Sequence, residues 1–420
     1  MRFLREHRWR LVLAVFFVAA LNYADRTSIS AVFPLLRQQL GLTDLQLGGL
    51  GTAFLWTYAL GSPIAGMAAD RFPRGRVLLL SLAGWSLVTL FTGFTSLYWQ
   101  LLATRIALGA AECFYLPAAT ALLADHHGTA TRATAMGIHA AGLSLGLIGG
   151  GVAAGYLGDH YGWRPGFVIL GAAGLVLCAL TARVFLPTSS AARRQPAPPG
   201  TRSLASVPQD LRMLGGIPSF WIVAGKAMLS AIGIWIFLNW LPLYFRDTFR
   251  MSLAGAGFSG TFTLQAAAIT GILLGGLCSD RLATRDRRYR MIFQGLCDLA
   301  AAPCVLLFLW TPSLALVSAA VFLFSLFRSL SQANENPLIC DVVPAPLRST
   351  AIGVTNLFNA LAGGLGVLLT GLLKQRFSLS AIFASCGLFM LLAGILSLLG
   401  YRCFLARDLR RGVPADQHGA

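Results

Sequence analysis

The sequence predicts an all-α integral membrane protein of twelve transmembrane helices, arranged as two pseudo-symmetric six-helix bundles. Three observations carry this. The 420 residues are 56% hydrophobic and 12% charged, with a mean hydropathy of +0.68, whereas soluble domains carry about 25% charged residues. Twelve apolar segments, each long enough for the roughly 20 residues a spanning helix needs, follow one another with short connections. The first six segments are echoed in the last six.

In order, the segments fall at 10–36, 45–69, 77–95, 98–124, 133–157, 165–186, 217–245, 254–279, 291–310, 313–340, 349–373 and 379–404. The net charge of +17 is spread as short basic runs between them, which argues against a nucleic-acid partner. Alternate loops carry 23 and 6 Lys and Arg residues, so the positive-inside rule predicts a multi-pass protein of the inner (plasma) membrane with both termini cytoplasmic. Basic residues before Leu11 give the start a signal-peptide look. The apolar run continues past Asp25 to Leu36, however, so an uncleaved first span is expected.

The longest connection holds Arg193, Arg194, Pro196, Pro198 and Pro199. It divides the chain into an N-terminal bundle at 1–186, a cytoplasmic Pro/Arg-rich linker at 187–215 and a C-terminal bundle at 216–420. Residues 201–213 are expected to form a short helix on the inner membrane surface.

The repeat is explicit. Gly66-x-x-x-Asp70-Arg71 after span two recurs as Gly276-x-x-x-Asp280-Arg281 after span eight, an offset of 210. Asp125, with Arg132-x-Thr134-Ala135-x-Gly137, recurs as Asp341, with Arg348-x-Thr350-Ala351-x-Gly353, an offset of 216. Duplicated six-span halves are a known transporter plan, with the substrate site near the midplane. The eight cysteines form no Cys-x-x-Cys or Cys/His ligand spacing and read as packing residues, so no metal or other cofactor is expected. No Walker-type phosphate loop occurs, which leaves an ion gradient as the driving force. No nucleophile–base spacing supports an enzyme. The glycines from Gly142 to Gly155 in span five read as close helix packing.

The duplication, the Asp70-Arg71 and Asp280-Arg281 loops, and Arg105-x-x-x-Gly109 in span four resemble the major facilitator superfamily across the whole chain. The resemblance implies bundles that rock about a central cavity lined in part by spans one and four. It also implies that Asp70, Arg71, Arg74, Asp280 and Arg281 form a conformational latch, although Pro73 stands where the family pattern has Gly.

Asp25 and Arg26 lie within span one, where each costs about 2.5–3.5 kcal/mol to insert. Arg105 and Glu112 are two helical turns apart and share a face of span four. A carboxylate that alternates between pairing with Arg and being protonated is the simplest proton carrier. Glu112 is therefore read as the coupling acid, with Asp25 second and held by Arg26 and Arg105. The competing reading is a buried ion-pair cluster that fixes helix register.

In the second half, Lys226 is read either as a cation for a substrate anion or as a side chain reaching the interface. An offset of 216 sets Arg328 level with Glu112, making Arg328 a substrate contact. Glu335 is a second titrating acid or part of an inner gate, and Asp298 has no evident partner. Tyr23, Arg26, Arg105, His139, Asn356 and Asn359 complete the expected substrate-binding set, with His139 equally readable as packing.

The Asn22-Tyr23-x-Asp25-Arg26 run and Arg105…Glu112 followed by Pro117 resemble the anion:cation symporters, which implies proton-coupled symport of a small organic anion such as a sugar acid. The same pairs, with Trp85-Ser-Leu-Val-Thr-Leu90, also resemble the Spinster family, which implies lysolipids or other amphiphiles as substrates. A monomer in the lipid bilayer is expected in either case.

Overall fold

The computed structural model describes residues 7–192, 207–310, 313–344 and 347–412. Those residues are almost wholly helical, with no strand among them. The Arg- and Pro-rich stretch of the linker lies outside the described residues. A helix at Val207–Gly215 covers much of the region where a short surface helix was expected.

Twelve helices have spanning length: α1 His7–Ala31, α2 Asp44–Arg71, α3 Arg74–Thr92, α4 Tyr98–His126, α5 Thr129–Tyr161, α6 Trp163–Ala192, α7 Pro218–Phe249, α8 Leu253–Ala283, α9 Tyr289–Leu309, α10 Leu314–Val342, α11 Arg348–Leu373 and α12 Leu379–Gly400. Eleven are long and apolar enough to cross a membrane by composition alone. The twelfth, α2, is 28 residues long but more mixed in character.

The helix ends follow from the sequence. The short helix Phe33–Leu40 stops at Gly41, whose φ of 63° suits a residue without Cβ. Thr43 and Gln46 then form a capping box that starts α2. Asp408 accepts a 2.9 Å bond from the Ser219 backbone N–H and so caps α7. Between α8 and α9, side-chain and backbone hydrogen bonds from Arg288 hold the Asp286 carboxyl below the usual carboxylate range.

Two helices break at matching places. In α4 the break falls at Cys113 and Phe114, and in α10 at Ala333 and Asn334. Each break lies just ahead of a proline, Pro117 and Pro337, whose ring clashes with the carbonyl four residues back and which lacks an N–H. These breaks are 220 residues apart, so on this half of each helix Gln332, rather than Arg328, is level with Glu112.

The described residues form two compact units. The first joins the N-terminal residues to Leu238–Thr261 and Val367–Leu372, and the second holds the rest of the C-terminal part. In the first unit, a Cβ on Gly146 would lie 2.2 Å from the Ala20 carbonyl oxygen, and one on Gly150 2.4 Å from Ala24. Helices α1 and α5 therefore touch backbone to backbone. Thr27 donates to the Leu147 carbonyl at 3.0 Å, which fixes the rotation of α1. With Ala24, Thr27 and Ser28 turned to α5, the residues Asn22, Asp25 and Arg26 lie on another face. Gly109 brings α4 against α2, since its Cβ would meet the Phe54 carbonyl at 2.6 Å.

The second unit is centred on Phe237, Phe308, Phe324 and Phe383, with Phe237 and Phe383 stacked at 4.7 Å. Gly271 and Gly275 set α8 on α10, and Gly295 with Gly394 sets α9 on α12.

The repeat is visible in bonding as well as in letters. Arg74 pairs with Asp125 in the first unit, and Arg290 pairs with Asp341 at 3.2 Å in the second. Arg132 Nε donates to the His127 carbonyl, as Arg348 Nε does to that of Val343. Each of these residues has its counterpart 216 positions on.

Candidate functional site

The first unit carries a buried polar cluster on α1, α2 and α4. Arg26 donates through Nε to Glu112 Oε2 at 2.9 Å, and Glu112 is wholly buried. The Arg26 guanidinium also lies over three rings: Tyr23 at 4.3 Å, Tyr58 at 4.6 Å and Phe54 at 5.2 Å. Negative ring faces stabilise a cation that has left water. A second bond from Arg26 reaches Asn22 Oδ1 at 3.2 Å.

Asp25 is buried as well, and its Oδ1 accepts no hydrogen bond. The sequence named Arg26 and Arg105 as holding Asp25, and Glu112 with Arg105 as candidate partners across to span four; the carboxylate that Arg26 binds is that of Glu112. Arg105 is 1% exposed, donates a long bond to Thr92 Oγ1 at 3.5 Å and lies 5.7 Å from the Phe167 ring, leaving its Nε unbonded. His139 is buried, with Nε2 3.0 Å from the Tyr115 hydroxyl, which itself donates to the Val15 carbonyl.

Phe54 and Tyr58 were missed by sequence reasoning. They stand at i and i+4 in Phe54-Leu-Trp-Thr-Tyr58, one face of α2. That spacing was the available signal, but it resembles an ordinary core stripe.

The second unit has a cluster of its own. Lys226 on α7 is fully buried, with Nζ 3.0 Å from Glu335 Oε1 and 3.5 Å from Asp298 Oδ2. Asp298 had no evident partner in sequence, yet it shares an ammonium with Glu335. Arg328 Nη1 donates to Gln332 Oε1 at 3.0 Å. A neutral amide in α10 thus holds an arginine where Glu112 does so in α4. Asn356 is exposed, and Asn359 is partly buried with an unbonded Oδ1.

Of the expected latch residues, Asp70, Arg71, Asp280 and Arg281 are exposed. Arg74 binds Asp125 within its own unit, and Asp280 accepts from Arg290 at 2.9 Å. No cluster of His, Cys, Asp and Glu with metal-site geometry occurs among the described residues.

A buried arginine–carboxylate pair of this kind can exchange its carboxylate for another anion, the freed carboxylate then taking up a proton. The sequence profile of the Major Facilitator Superfamily matches residues 15–367 and 286–417. An "MFS-type efflux pump" of Mycolicibacterium smegmatis is 28% identical over 96% of this chain and 93% of its own. The "Probable galactarate/D-glucarate transporter GarP" of Escherichia coli is 25% identical over 94% of this chain and 95% of its own. Among solved structures, a bacterial homologue of the human lysosomal transporter Spinster, inward-facing and unoccupied, superposes with a TM-score of 0.80 at 24% identity, covering 96% of this chain and 98% of that one. With a family match over most of its length, the chain belongs to the Major Facilitator Superfamily and is one of its membrane transporters.

Proposed function

We propose that this transporter carries a small organic anion, such as a sugar acid, together with protons, working by alternating access as a monomer in the inner (plasma) membrane with both termini cytoplasmic. The observation that carries the reading is the Arg26–Glu112 pair at 2.9 Å, with Glu112 buried and its Oε1 free of hydrogen bonds. A substrate carboxylate that binds Arg26 takes the cation away from Glu112. An unpaired buried carboxylate costs several kcal/mol, on the order of the loss from a broken buried pair. Binding a proton removes that cost, so anion and proton load together.

Tyr23 and its neighbouring rings position the guanidinium. Arg105 and Asp25 set the local field, while Arg328, Lys226, His139, Asn356 and Asn359 are the further candidates for substrate contact. Asp70, Arg71, Arg74, Asp280 and Arg281 serve as the latch in this reading, with the bundles bounded at 1–186 and 216–420 around the 187–215 linker. A relative described as a galactarate/D-glucarate transporter supports the substrate class.

A second reading, export of lysolipids or other amphiphiles, has two supports. One relative is described as an efflux pump. In addition, α1, α5 and α6 enclose a groove of about 560 Å³, lined by Phe17, Leu21, Leu145, Leu170, Leu177 and other apolar residues. Reconstitution into liposomes tests both, using labelled galactarate, glucarate and a lysophosphatidylcholine under an imposed proton gradient. Gradient-driven accumulation of a diacid supports the first reading. Movement of the lysolipid alone overturns it in favour of the second.

A further inference from the structure

We infer that the second unit contains a proton-binding site of its own, with Asp298 as the acid and Lys226 as the cation it shares with Glu335. The inference rests on the proton-driven reading above but concerns different residues.

The geometry is unequal in an informative way. Lys226 hydrogen-bonds Glu335 at 3.0 Å, while Asp298 lies at 3.5 Å and neither of its oxygens accepts a hydrogen bond. Asp298 and Lys226 are wholly buried, and Glu335 nearly so. One ammonium thus faces two carboxylates in a nearly dry site whose one exposed edge is at Glu335. A buried carboxylate with neither a hydrogen bond nor a full counter-charge takes a proton rather than remain ionised.

Among the described residues no second cation forms an ion pair with Asp298 or Glu335. Arg328 on α10 donates through Nη1 to Gln332 at 3.0 Å, leaves its Nε unbonded and acts on Glu335 and Asp298 from beyond ion-pair distance. Helix α12, packed along α9, carries Cys386 but no charged residue, and the neighbour on α9 itself is Cys297. The Ser331 hydroxyl on α10, outside hydrogen-bond geometry in this structure, is the neutral donor that faces Asp298.

The site is a two-position switch. A small shift of Nζ from Glu335 toward Asp298 exchanges which acid is paired, and the proton moves to the other. Lys226, Asp298 and Glu335 lie on α7, α9 and α10, so relative movement of these helices changes the exchange. In the first unit the residue level with Gln332 is Glu112, which titrates in the proposed cycle. In the second unit that position is an amide, and the acids lie elsewhere.

Infrared difference spectroscopy of the reconstituted full-length chain, between alkaline and mildly acid buffer, tests the site without a substrate. Aspartate labelled with carbon-13 at its carboxyl group separates its protonated C=O band from that of glutamate. The expected result is an aspartate-derived band in the wild type that is lost in Asp298→Asn. A wild type with no such band overturns the inference, as does a band that Asp298→Asn leaves unchanged. Should Asp298→Asn fail to fold, Asp298→Glu replaces it: loss of the aspartate band with a new glutamate band supports Asp298, and an unchanged aspartate band overturns it. Failure of the earlier reading would show separately, as uptake indifferent to the proton gradient.

Discussion

Arg26 on α1 reaches 86 residues along the chain to bind Glu112 on α4 at 2.9 Å, inside a cage of three aromatic rings. Partner and cage together explain how a guanidinium stays ionised at this depth. They also make the pair the part of the molecule most sensitive to single changes.

Removing one partner strands the other. Arg26→Gln is expected to lose about 3–5 kcal/mol of stability, the usual cost of leaving a buried charge unpaired. The Arg26→Gln, Glu112→Gln double variant should recover much of that loss. Thermal unfolding in detergent checks this, and a double variant no more stable than the single would show that the pair is not coupled.

The cage makes a separate prediction. Tyr58→Leu removes a ring 4.6 Å from the guanidinium and should cost about 0.5–2 kcal/mol. The same change in an Arg26→Gln background should cost measurably less, because the cation it served is gone. Equal losses in the two backgrounds would reduce Tyr58 to packing.

The α1–α5 contact separates neighbouring glycines. Gly150→Ala places a methyl group 2.4 Å from Ala24 backbone atoms and is expected to destabilise by about 1–3 kcal/mol. Gly149 has nothing within 4 Å of its virtual Cβ, so Gly149→Ala should be neutral or gain a few tenths of a kcal/mol from helix propensity, up to about 1. Melting curves of the two variants side by side test the helix contact.

The repeated loop pairs should differ in strength. Arg74 and Asp125 have side chains 26% and 49% exposed, while Arg290 and Asp341 are 16% and 15% exposed. Solvent screening holds the first pair to about 0–1 kcal/mol. Double-mutant cycles should give a larger coupling energy for Arg290–Asp341, and the reverse order would contradict the burial argument.

Much of the architecture was legible from sequence, for a physical reason. Membrane spans must be apolar over a fixed length, and repeated motifs survive in one dimension. The 216-residue offset that relates Asp125 to Asp341 reappears as two matching ion pairs. The side-chain partners were less legible. Seven-residue spacing puts Arg105 and Glu112 on one face but does not say which neighbouring helix that face meets. The answer depends on the Gly146 and Gly150 contact, which rotates α1 and presents Arg26 to Glu112. Asp298 stayed obscure because its partner lies 72 positions away on α7, with no local pattern linking them. The proline breaks moved the level of Glu112 to Gln332, a shift of one turn that the loop motifs alone could not reveal.

The most direct test of the central claim is accumulation of labelled galactarate by proteoliposomes under an imposed proton gradient, comparing wild type with Glu112→Gln. The account predicts that the wild type accumulates galactarate, whereas Glu112→Gln only exchanges it across the membrane and is unmoved by the gradient. Gradient-driven accumulation by Glu112→Gln at the wild-type level would contradict it.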